Sequence, residues 1–262
     1  MIFEPSSTES GLPDTGGRLI YAIGDVHGRD DLLARVLDRI GDDLQSRVAE
    51  YPDPPVLVML GDYIDRGRQS PQVLDRLVRL GVQGPFELRL LLGNHEEAML
   101  DFLAGETSGR GWARYGGRTT MESYGVTVPT NDHDVDGWNA AREAFAAAVP
   151  SSHLALLKSM ELFVLYGKTL FVHAGIRPGV PLDQQARGDL LGIRKEFLNA
   201  EYDFDHFVVH GHTPVERSDL QAGRLNLDTG AYMTGMLSAA RLDGGSPAIL
   251  TSAMAAGDVV RV

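Results

Sequence analysis

Three apolar segments, each followed directly by an amphipathic segment, place the strongest constraint on the fold of this chain. The apolar segments "RLIYAIG", "PVLVMLG" and "FELRLLLG" precede "DDLLARVLDRIG", "SPQVLDRLVRLG" and "NHEEAMLDFLAG". Apolar residues recur at helical spacing in the second segment of each pair, and Gly41 and Gly81 are predicted to end the first two helices. Because repeated strand–helix units give parallel strands covered by crossover helices, we predict an α/β fold.

The second half of the chain has a different pattern. "LFVLYGKTLFVHAG" predicts a hairpin that turns through residues 166–168, and residues 183–200 predict a helical stretch. "HFVVHGHT", "GRLNLDTGAY", "GMLSAARLDG" and "PAILTSAMAAGDVVRV" then predict strands joined by glycine turns. A tail of antiparallel strands after strand–helix units indicates a layered α/β/β/α sandwich of two mixed sheets.

The 262 residues are enough for one large domain. Residues 1–17 are rich in Ser, Thr, Pro and Gly and predict a flexible leader rather than a signal peptide. Residues 18–262 predict a single domain, in which residues 104–150 interrupt the strand–helix regularity. We interpret that interruption as a helical cap insertion over the sheet.

Three arginines in the insertion recur at every fourth position: Arg110, Arg114 and Arg118. On a continuous helix they would form one basic stripe, whereas the glycines around them favour a mobile lid that contacts substrate. Alternatively, they pair with the acids of "NDHDVD" and hold the insertion in place.

Composition excludes several classes of protein. A formal net charge of −12 argues against a nucleic-acid-binding protein, which needs a basic face. The absence of cysteine excludes disulfides, thiolate catalysis and zinc–thiolate sites. No apolar run is long enough to cross a membrane, so we expect no membrane partner and a cytoplasmic location. We expect a monomer.

Five apolar runs end within a residue or two of a side chain that can bind a metal ion. Because ligands bind at the carboxyl ends of strands in such sheets, these side chains should converge at one edge. Oxygen and imidazole ligands together suit Mn²⁺ or Fe²⁺. The sequence therefore predicts a metal site formed by the following residues: Asp25, His27, Asp62, Asn94, His95, His173 and His212.

The motifs around these residues carry a family resemblance. "GDVHG" (24–28), "GDYIDRG" (61–67), "GNHE" (93–96), "HAG" (173–175) and "GHT" (211–213) resemble those of the calcineurin-like metallophosphoesterases. Within these, the pattern is similar to the serine/threonine phosphoprotein phosphatase family of bacterial and phage type. The motifs follow the family's order and span most of the chain.

The resemblance implies a dinuclear metal site. Asp25, His27 and Asp62 would hold one ion. Asp62 would bridge to a second ion, which Asn94, His173 and His212 would also hold. The two ions would be Mn²⁺, with Fe or Zn as alternatives, and a hydroxide between them would attack phosphorus directly.

The resemblance also implies roles in catalysis. His95 would donate a proton to the leaving oxygen, and Asp65 would accept a hydrogen bond that orients His95. Arg66, Asn94 and His95 would contact the phosphate, together with a second arginine.

Arg194 in "LLGIRKEFL" is the best candidate for this second arginine. The chain departs from the family pattern two residues earlier, because Gly192 stands where relatives often have an aromatic residue. Arg187 is the alternative phosphate ligand, whereas Arg177 is interpreted as a structural loop residue.

The remaining acids and histidines receive simpler interpretations. His133, His153 and His206 are expected to be solvated, while His210 and Asp228 are expected to support the metal ligands.

These features predict hydrolysis of phosphomonoesters, with phosphoserine or phosphothreonine in a protein or peptide as the first expectation. A diadenosine tetraphosphate hydrolase is the alternative, since such enzymes share nearly all these motifs, and a dinucleoside polyphosphate would then be the substrate. A catalytically silent metal-binding scaffold is a third hypothesis, which the presence of His95, Asp65, Arg66 and Arg194 disfavours.

Overall fold

The computed structural model describes residues 12–201 and 205–253. Residues 1–11 of the predicted leader and residues 254–262 at the end of the predicted domain lie outside this part of the chain. Where the described part begins, the Asp14 carbonyl accepts hydrogen bonds from the Lys168 N–H at 3.0 Å and the Thr169 hydroxyl at 2.7 Å. This segment therefore lies against the turn that joins two strands of the second half.

The described residues form these strands in chain order: β1 (Ile20–Ile23), β2 (Val56–Met59), β3 (Glu87–Leu90), β4 (Phe163–Tyr166), β5 (Thr169–Val172), β6 (Phe207–His210), β7 (Asp219–Gln221), β8 (Arg224–Asn226), β9 (Ser238–Leu242) and β10 (Ala248–Thr251). They form these α-helices: α1 (Asp30–Gln45), α2 (Ser70–Gln83), α3 (Asn94–Ala104), α4 (Arg110–Trp112), α5 (Arg118–Ser123), α6 (Val135–Ala148), α7 (Ser151–Lys158), α8 (Arg187–Gly192), α9 (Lys195–Leu198) and α10 (Ala231–Thr234). None of these helices combines the length and hydrophobicity needed to span a bilayer.

Two five-stranded mixed sheets confirm the predicted architecture. One sheet has the order β10-β9-β1-β2-β3, and the other has the order β4-β5-β6-β8-β7. Strands β1, β2 and β3 are parallel neighbours, as are β5, β6 and β8. The predicted hairpin is β4–β5, in which Tyr166 pairs with Thr169 and Gly167 adopts a φ of 56°.

The strands alternate between two apolar cores because successive side chains point to opposite faces. Ile20 and Val58 of one sheet face Phe171 and Val209 of the other, and together they form the core between the sheets. Tyr21, Leu57 and Met59 face outwards and pack with α1, α2 and α3, while Leu170 and Val208 face outwards and pack with α8 and α9. The layers are therefore helix, sheet, sheet and helix.

Two predicted helix ends were placed too early. Helices α1 and α2 continue through Gly41 and Gly81 to Gln45 and Gln83. In α1 the added turn buries Leu44, which contributes to the core and offsets the cost of about 1 kcal/mol for a glycine inside a helix.

The insertion does not form one continuous helix. Gly116 has a φ of 124° and breaks the regular backbone within a π-helical turn over Ala113–Gly117, between α4 and α5. Arg114 forms an ion pair with Asp132, and Arg110 donates to the Asp132 carbonyl at 3.3 Å.

The third arginine is also bound within the insertion. Arg118 donates to the Val128 carbonyl at 3.2 Å and to the Pro129 carbonyl at 2.7 Å. The contacts of all three arginines therefore favour the interpretation in which they hold the insertion in place.

Aromatic contacts join the insertion to α3. Phe145 is fully buried, and its ring centroid lies 6.4 Å from that of Phe102, 5.6 Å from Trp112 and 5.5 Å from Tyr124. Because these rings belong to the same apolar cluster as the outer face of the first sheet, the insertion is continuous with that core.

We predict that Phe145→Ala lowers the free energy of unfolding by about 3–5 kcal/mol, because it removes a buried ring and leaves a cavity. Urea denaturation at equilibrium measures this loss. The control is Val82→Ala, at a side chain that is 78% exposed, and it should change stability by less than about 0.5 kcal/mol. Equal effects of the two changes would contradict a structural role for the aromatic cluster.

Candidate active site

The loops after five strands meet at one edge of the sandwich. These strands are β1, β2 and β3 of the first sheet, which run parallel to one another, and β5 and β6 of the second sheet, which also run parallel to each other. These loops carry the predicted metal ligands, Asp25, His27, Asp62, Asn94, His173 and His212, and the predicted proton donor His95.

Asp62 lies at the centre of this edge. Its Oδ2 is 3.6 Å from His27 Nε2 and 3.8 Å from His95 Nε2, and its Oδ1 is 3.4 Å from His173 Nε2. Among the described residues, two groups could each hold a metal ion, and both contain Asp62. The first group is Asp62 with His27 and His95, and the second is Asp62 with His173 and His212.

The histidine tautomers favour cation binding. Nδ1 of His27 lies 2.9 Å from the Ile64 carbonyl, and Nδ1 of His173 lies 2.8 Å from the Leu60 carbonyl. Since a carbonyl can only accept, each Nδ1 carries the proton and each Nε2 presents a lone pair.

The lone pair of His27 Nε2 faces an Arg66 nitrogen at 2.9 Å, whereas that of His173 Nε2 faces other acceptors. His173 Nε2 faces the Asp62 carboxylate and lies 3.1 Å from Asn94 Oδ1. His212 Nε2 is buried and has no hydrogen-bond partner in the described part of the chain. Buried electron-pair donors that converge with no proton between them are stabilised by divalent cations, so these residues fit the metal ions that the fold implies.

Asp25 lies beside this cluster but outside both three-residue groups. Its carboxylate accepts from the His212 backbone N–H at 3.0 Å. Burial and the nearby carboxylates of Asp228 and Asp62 raise the pKa of Asp25 well above its usual range. The group that contains His27 therefore has His95 as its third member, and Asp25 lies next to it.

The site backbone is held in unfavourable conformations. In the described ranges, the non-glycine residues with positive φ all lie in the site loops: His27 (46°), Asp62 (52°), Asp65 (73°), Arg66 (67°) and His212 (64°). Left-handed backbone is uncommon outside glycine, and it persists only where surrounding contacts enforce it.

Glu96 supplies such contacts for the loop after β2. Its buried carboxylate accepts from the backbone N–H groups of Asp62 at 2.8 Å, Tyr63 at 2.8 Å and Ile64 at 3.2 Å. It also accepts from Gly93 N–H at 3.1 Å, as a capping residue at the start of α3. The motif "GNHE" contains Glu96, for which the sequence alone predicted no role. Its position as the third residue of α3 is nevertheless a capping signal.

His95 and Asp65 form the hydrogen-bonded pair that the resemblance implies. His95 Nδ1 lies 2.6 Å from Asp65 Oδ2. The insertion holds the same carboxylate, since Trp112 Nε1 donates to Oδ2 at 2.6 Å and the Thr120 hydroxyl donates to Oδ1 at 2.6 Å. Trp112 and Thr120 were missed by sequence reasoning, because nothing in the local sequence links them to Asp65.

The contact with Asp65 affects the pKa of His95. Burial opposes protonation, but Asp62 and the hydrogen bond to Asp65 outweigh it and raise the pKa of His95 to about 9. Cations bound at Asp62 would offset part of this increase, because they neutralise the carboxylate that favours the imidazolium. Nε2, the ring nitrogen that does not contact Asp65, faces the Arg66 guanidinium and the Asp62 carboxylate.

Arg66 reaches across the centre of the cluster. One guanidinium nitrogen lies 2.9 Å from His27 Nε2, and another lies 3.1 Å from His95 Nε2. The guanidinium carbon also lies 4.7 Å from the ring centroid of Tyr232, a partly exposed residue of α10. Tyr232 therefore adds an aromatic wall to the site that sequence reasoning did not anticipate.

The candidates for the second phosphate arginine differ in their contacts. The predicted helical stretch breaks between α8 and α9, where Arg194 has a φ of −132° and a ψ of −94°. Arg194 is exposed, and its guanidinium makes no hydrogen bond or ion pair with residues in the described ranges. Burial is the main cause that lowers the pKa values of His173 and His212, and the charge of Arg194 contributes to both. Arg187 instead donates to Glu97 at 2.6 Å, and Arg177 pairs with Asp189 at 2.6 Å.

Two other histidines are placed differently from the sequence expectation. His153 was expected to be solvated, but it is only 1% exposed. Its Nδ1 lies 2.7 Å from the Tyr124 hydroxyl, and its Nε2 lies 3.0 Å from Asp75 Oδ1. His210 packs edge-on against Phe197, in the core outside the second sheet. Asp228 supports the loop after β8 by accepting from the Gly230 N–H at 2.9 Å.

Comparisons with known proteins agree with this geometry. The family model described as "Calcineurin-like phosphoesterase" matches residues 18–234. The chain is 26% identical over 241 residues to a protein of Anoxybacillus flavithermus named bis(5'-nucleosyl)-tetraphosphatase PrpE [asymmetrical]. The alignment covers 85% of this chain and 90% of that relative.

Solved structures are similar in fold. A crystal structure titled a putative diadenosine tetraphosphatase superposes with a TM-score of 0.60 at 21% identity, and the match covers 92% of this chain and 96% of the other. A protein serine/threonine phosphatase from Saccharomyces cerevisiae superposes with a TM-score of 0.55 at 17% identity, over 94% of this chain and 83% of the other. Since the family model spans most of the chain, the protein belongs to the calcineurin-like phosphoesterase family and is a metal-dependent phosphoesterase.

Proposed function

We propose that this phosphoesterase hydrolyses dinucleoside tetraphosphates. The observation that carries the proposal is the alignment over nearly the full length of relatives that are named bis(5'-nucleosyl)-tetraphosphatases. This finding favours the alternative from the sequence over the first expectation, a phosphoserine or phosphothreonine substrate. Tyr232, whose ring lies against Arg66 at the site, is also the kind of aromatic contact that a nucleotide substrate can use.

The charge of the site suits a polyphosphate. Arg66 lies between His27 and His95 at the centre, and Arg194 has no competing partner among the described residues. Planar guanidinium groups bind phosphate oxygens with two parallel hydrogen bonds. We propose that Arg66 and Arg194 hold the phosphoryl group that is attacked, with Asn94 and His95 as further contacts.

The metal ions would be held by Asp25, His27, Asp62, Asn94, His173 and His212, and we propose Mn²⁺ as the activating ion. When bound, such ions supply a strong nucleophile from water at neutral pH and neutralise phosphoryl charge. Asp62 belongs to both donor groups of the structure, which supports its role as the shared ligand.

The remaining chemistry is assigned to side chains of this chain. We propose that His95 donates its Nε2 proton to the leaving oxygen as the phosphorus–oxygen bond breaks. Asp65 fixes the ring through Nδ1, and Trp112 and Thr120 fix the Asp65 carboxylate. Arg66 stabilises the charge that develops on the phosphoryl oxygens.

We predict that diadenosine tetraphosphate is cleaved with a kcat/KM at least about 100-fold above that of phosphoserine peptides, because the relatives' substrate class is the nucleotide. Chromatographic separation of the products with Mn²⁺ present measures this preference. A preference of similar size for phosphopeptides would contradict the proposal and restore the protein phosphatase. Failure to hydrolyse either substrate or any aryl phosphate would favour the silent scaffold.

We predict that Asp62→Asn abolishes turnover and lowers metal content below two equivalents, because it removes the negative charge shared by both donor groups. Elemental analysis after dialysis measures the metal content. Asp53→Asn is the matched control, since Asp53 is exposed and lies outside the site, and it should leave both quantities unchanged. Two tightly held equivalents in Asp62→Asn would contradict the shared role.

We predict that His95→Asn lowers kcat by about 10²–10⁴-fold on alkyl phosphates, the usual effect of removing a positioned proton donor. The loss should be smaller on diadenosine tetraphosphate and nitrophenyl phosphate, because their leaving oxygens need less protonation. Steady-state kinetics on all three substrates test this order. Equal losses would mean that His95 acts by another route.

We predict that Trp112→Phe lowers kcat about tenfold on alkyl phosphates, with little change in KM, because it removes one N–H from Asp65 while keeping an aromatic ring. Trp138→Phe makes the same chemical change at a residue that makes no hydrogen bond to Asp65, and it should leave kcat unchanged. The size of the Trp112→Phe effect should again fall with better leaving groups. An equal effect of the two variants would assign Trp112 to packing alone.

A further inference from the structure

A cavity lies in the insertion, and its lining side chains have no part in the proposed catalysis or metal binding. It has a volume of about 170 Å³ and is formed between the end of α3, the start of α4 and the start of α6. Its lining includes the following residues: Phe102, Ser108, Arg110, Asp132, Trp138 and Arg142.

Two aromatic side chains form part of the wall of this cavity. Phe102 and Trp138 are 1% and 4% exposed, so two large flat side chains line the cavity from within the core. A buried apolar cavity of about 150 Å³ can hold a benzene ring. The cavity is therefore large enough for one planar ring.

Trp138 also brings a polar group that the protein does not satisfy. Its Nε1 is buried and donates to no acceptor in the described part of the chain. Buried N–H groups nearly always have a partner, because a donor removed from water without one is unfavourable. An acceptor atom on a ligand in the cavity would satisfy it.

The charged groups of the lining leave an excess of positive charge. The Asp132 carboxylate is already paired with Arg114, and the Arg110 guanidinium lies against the Asp132 carbonyl and the Ser108 hydroxyl. The Arg142 side chain is partly buried beside Gly105, and its guanidinium makes no hydrogen bond or ion pair with residues of the described ranges. Its five N–H donors therefore use no acceptor among those residues and could bind an anion.

From the aromatic walls, the unsatisfied indole N–H and the unpaired guanidinium, we infer that this cavity binds a small aromatic anion, such as the base and phosphate of a mononucleotide. The ring would pack against Phe102, an acceptor atom of the ligand would receive the hydrogen bond from Trp138 Nε1, and Arg142 would bind the anionic group. This site goes beyond the proposed reaction and does not depend on it, because none of these side chains is assigned to catalysis.

Tryptophan fluorescence can test this inference directly. The chain has two tryptophans, so Trp112→Phe leaves Trp138 as the single reporter in the cavity. Titration of the full-length protein with AMP should quench or shift the Trp138 emission in a saturable way. The signal should persist in EDTA, because the cavity contains none of the proposed metal ligands; loss of binding in EDTA would place AMP at the metal cluster and overturn the inference.

Variants and alternative ligands distinguish the contribution of the anionic group to binding from that of the aromatic ring. Arg142→Gln should weaken AMP binding about tenfold or more, since it removes a charged hydrogen bond. Arg35→Gln, at an exposed arginine of α1, should leave AMP binding unchanged. Adenosine, which lacks the anion, should bind about tenfold more weakly than AMP, and inorganic phosphate, which lacks the ring, should bind more weakly still.

Calorimetry measures AMP binding to the unmodified chain and so controls for a folding defect in Trp112→Phe. It should give the same AMP affinity as the fluorescence titration, and Trp138→Phe should weaken that affinity several-fold by removing the N–H. Absence of AMP binding to the unmodified chain, equal affinity for adenosine, or unchanged affinity in Arg142→Gln would each overturn the inference.

Discussion

The site depends on the hydrogen bonds that the buried Glu96 carboxylate accepts from backbone N–H groups. Asp62 can face both histidine groups only because the loop after β2 turns sharply, with Asp62 itself in the left-handed region at a φ of 52°. Glu96 accepts three backbone N–H groups of that loop and one N–H at the start of α3. It therefore holds an unfavourable backbone in place and ties it to the helix that carries Asn94 and His95. Gly93 is required here because a Cβ at this position would collide with the Asp62 side chain and backbone.

A second set of contacts ties the insertion to the proposed acid. Asp65 is fully buried, and burial raises its pKa despite hydrogen bonds from His95, Thr120 and Trp112. Thr120 and Trp112 both come from the insertion, and Trp112 packs on Phe102 and Phe145 in the same aromatic cluster. The insertion thus holds Asp65, which in turn contacts His95. The cavity is lined by Phe102 of this cluster and by Trp138, and its lining residues have no role in the catalytic proposal.

Particular residues show where sequence reasoning succeeded and where it failed. The metal-type side chains were found because each follows an apolar run, and the parallel order of β1, β2 and β3 brings such positions together. Gly41 and Gly81 were misjudged as helix ends, because glycine also fits the right-handed helix when neighbouring turns are packed. His153 was misjudged as solvated, because its partners Tyr124 and Asp75 are distant in sequence and meet it only in the fold. The same distance hid Trp112 and Thr120 from Asp65.

The sequence by itself determined the strand–helix order, the two sheets and the residues that gather at the strand ends. Those features depend on the period of apolar residues and on chemistry next to each strand, which are local properties of the chain. The tertiary structure decided the left-handed backbone at Asp62, the hydrogen bonds from Trp112 and Thr120 to Asp65, and the pairing of Arg114 with Asp132. It also decided which of the two candidate arginines pairs with an acid, because the Arg187 side chain meets Glu97 and that of Arg194 does not. These outcomes depend on contacts between residues far apart in the chain, and local patterns carry no information about which distant groups will meet.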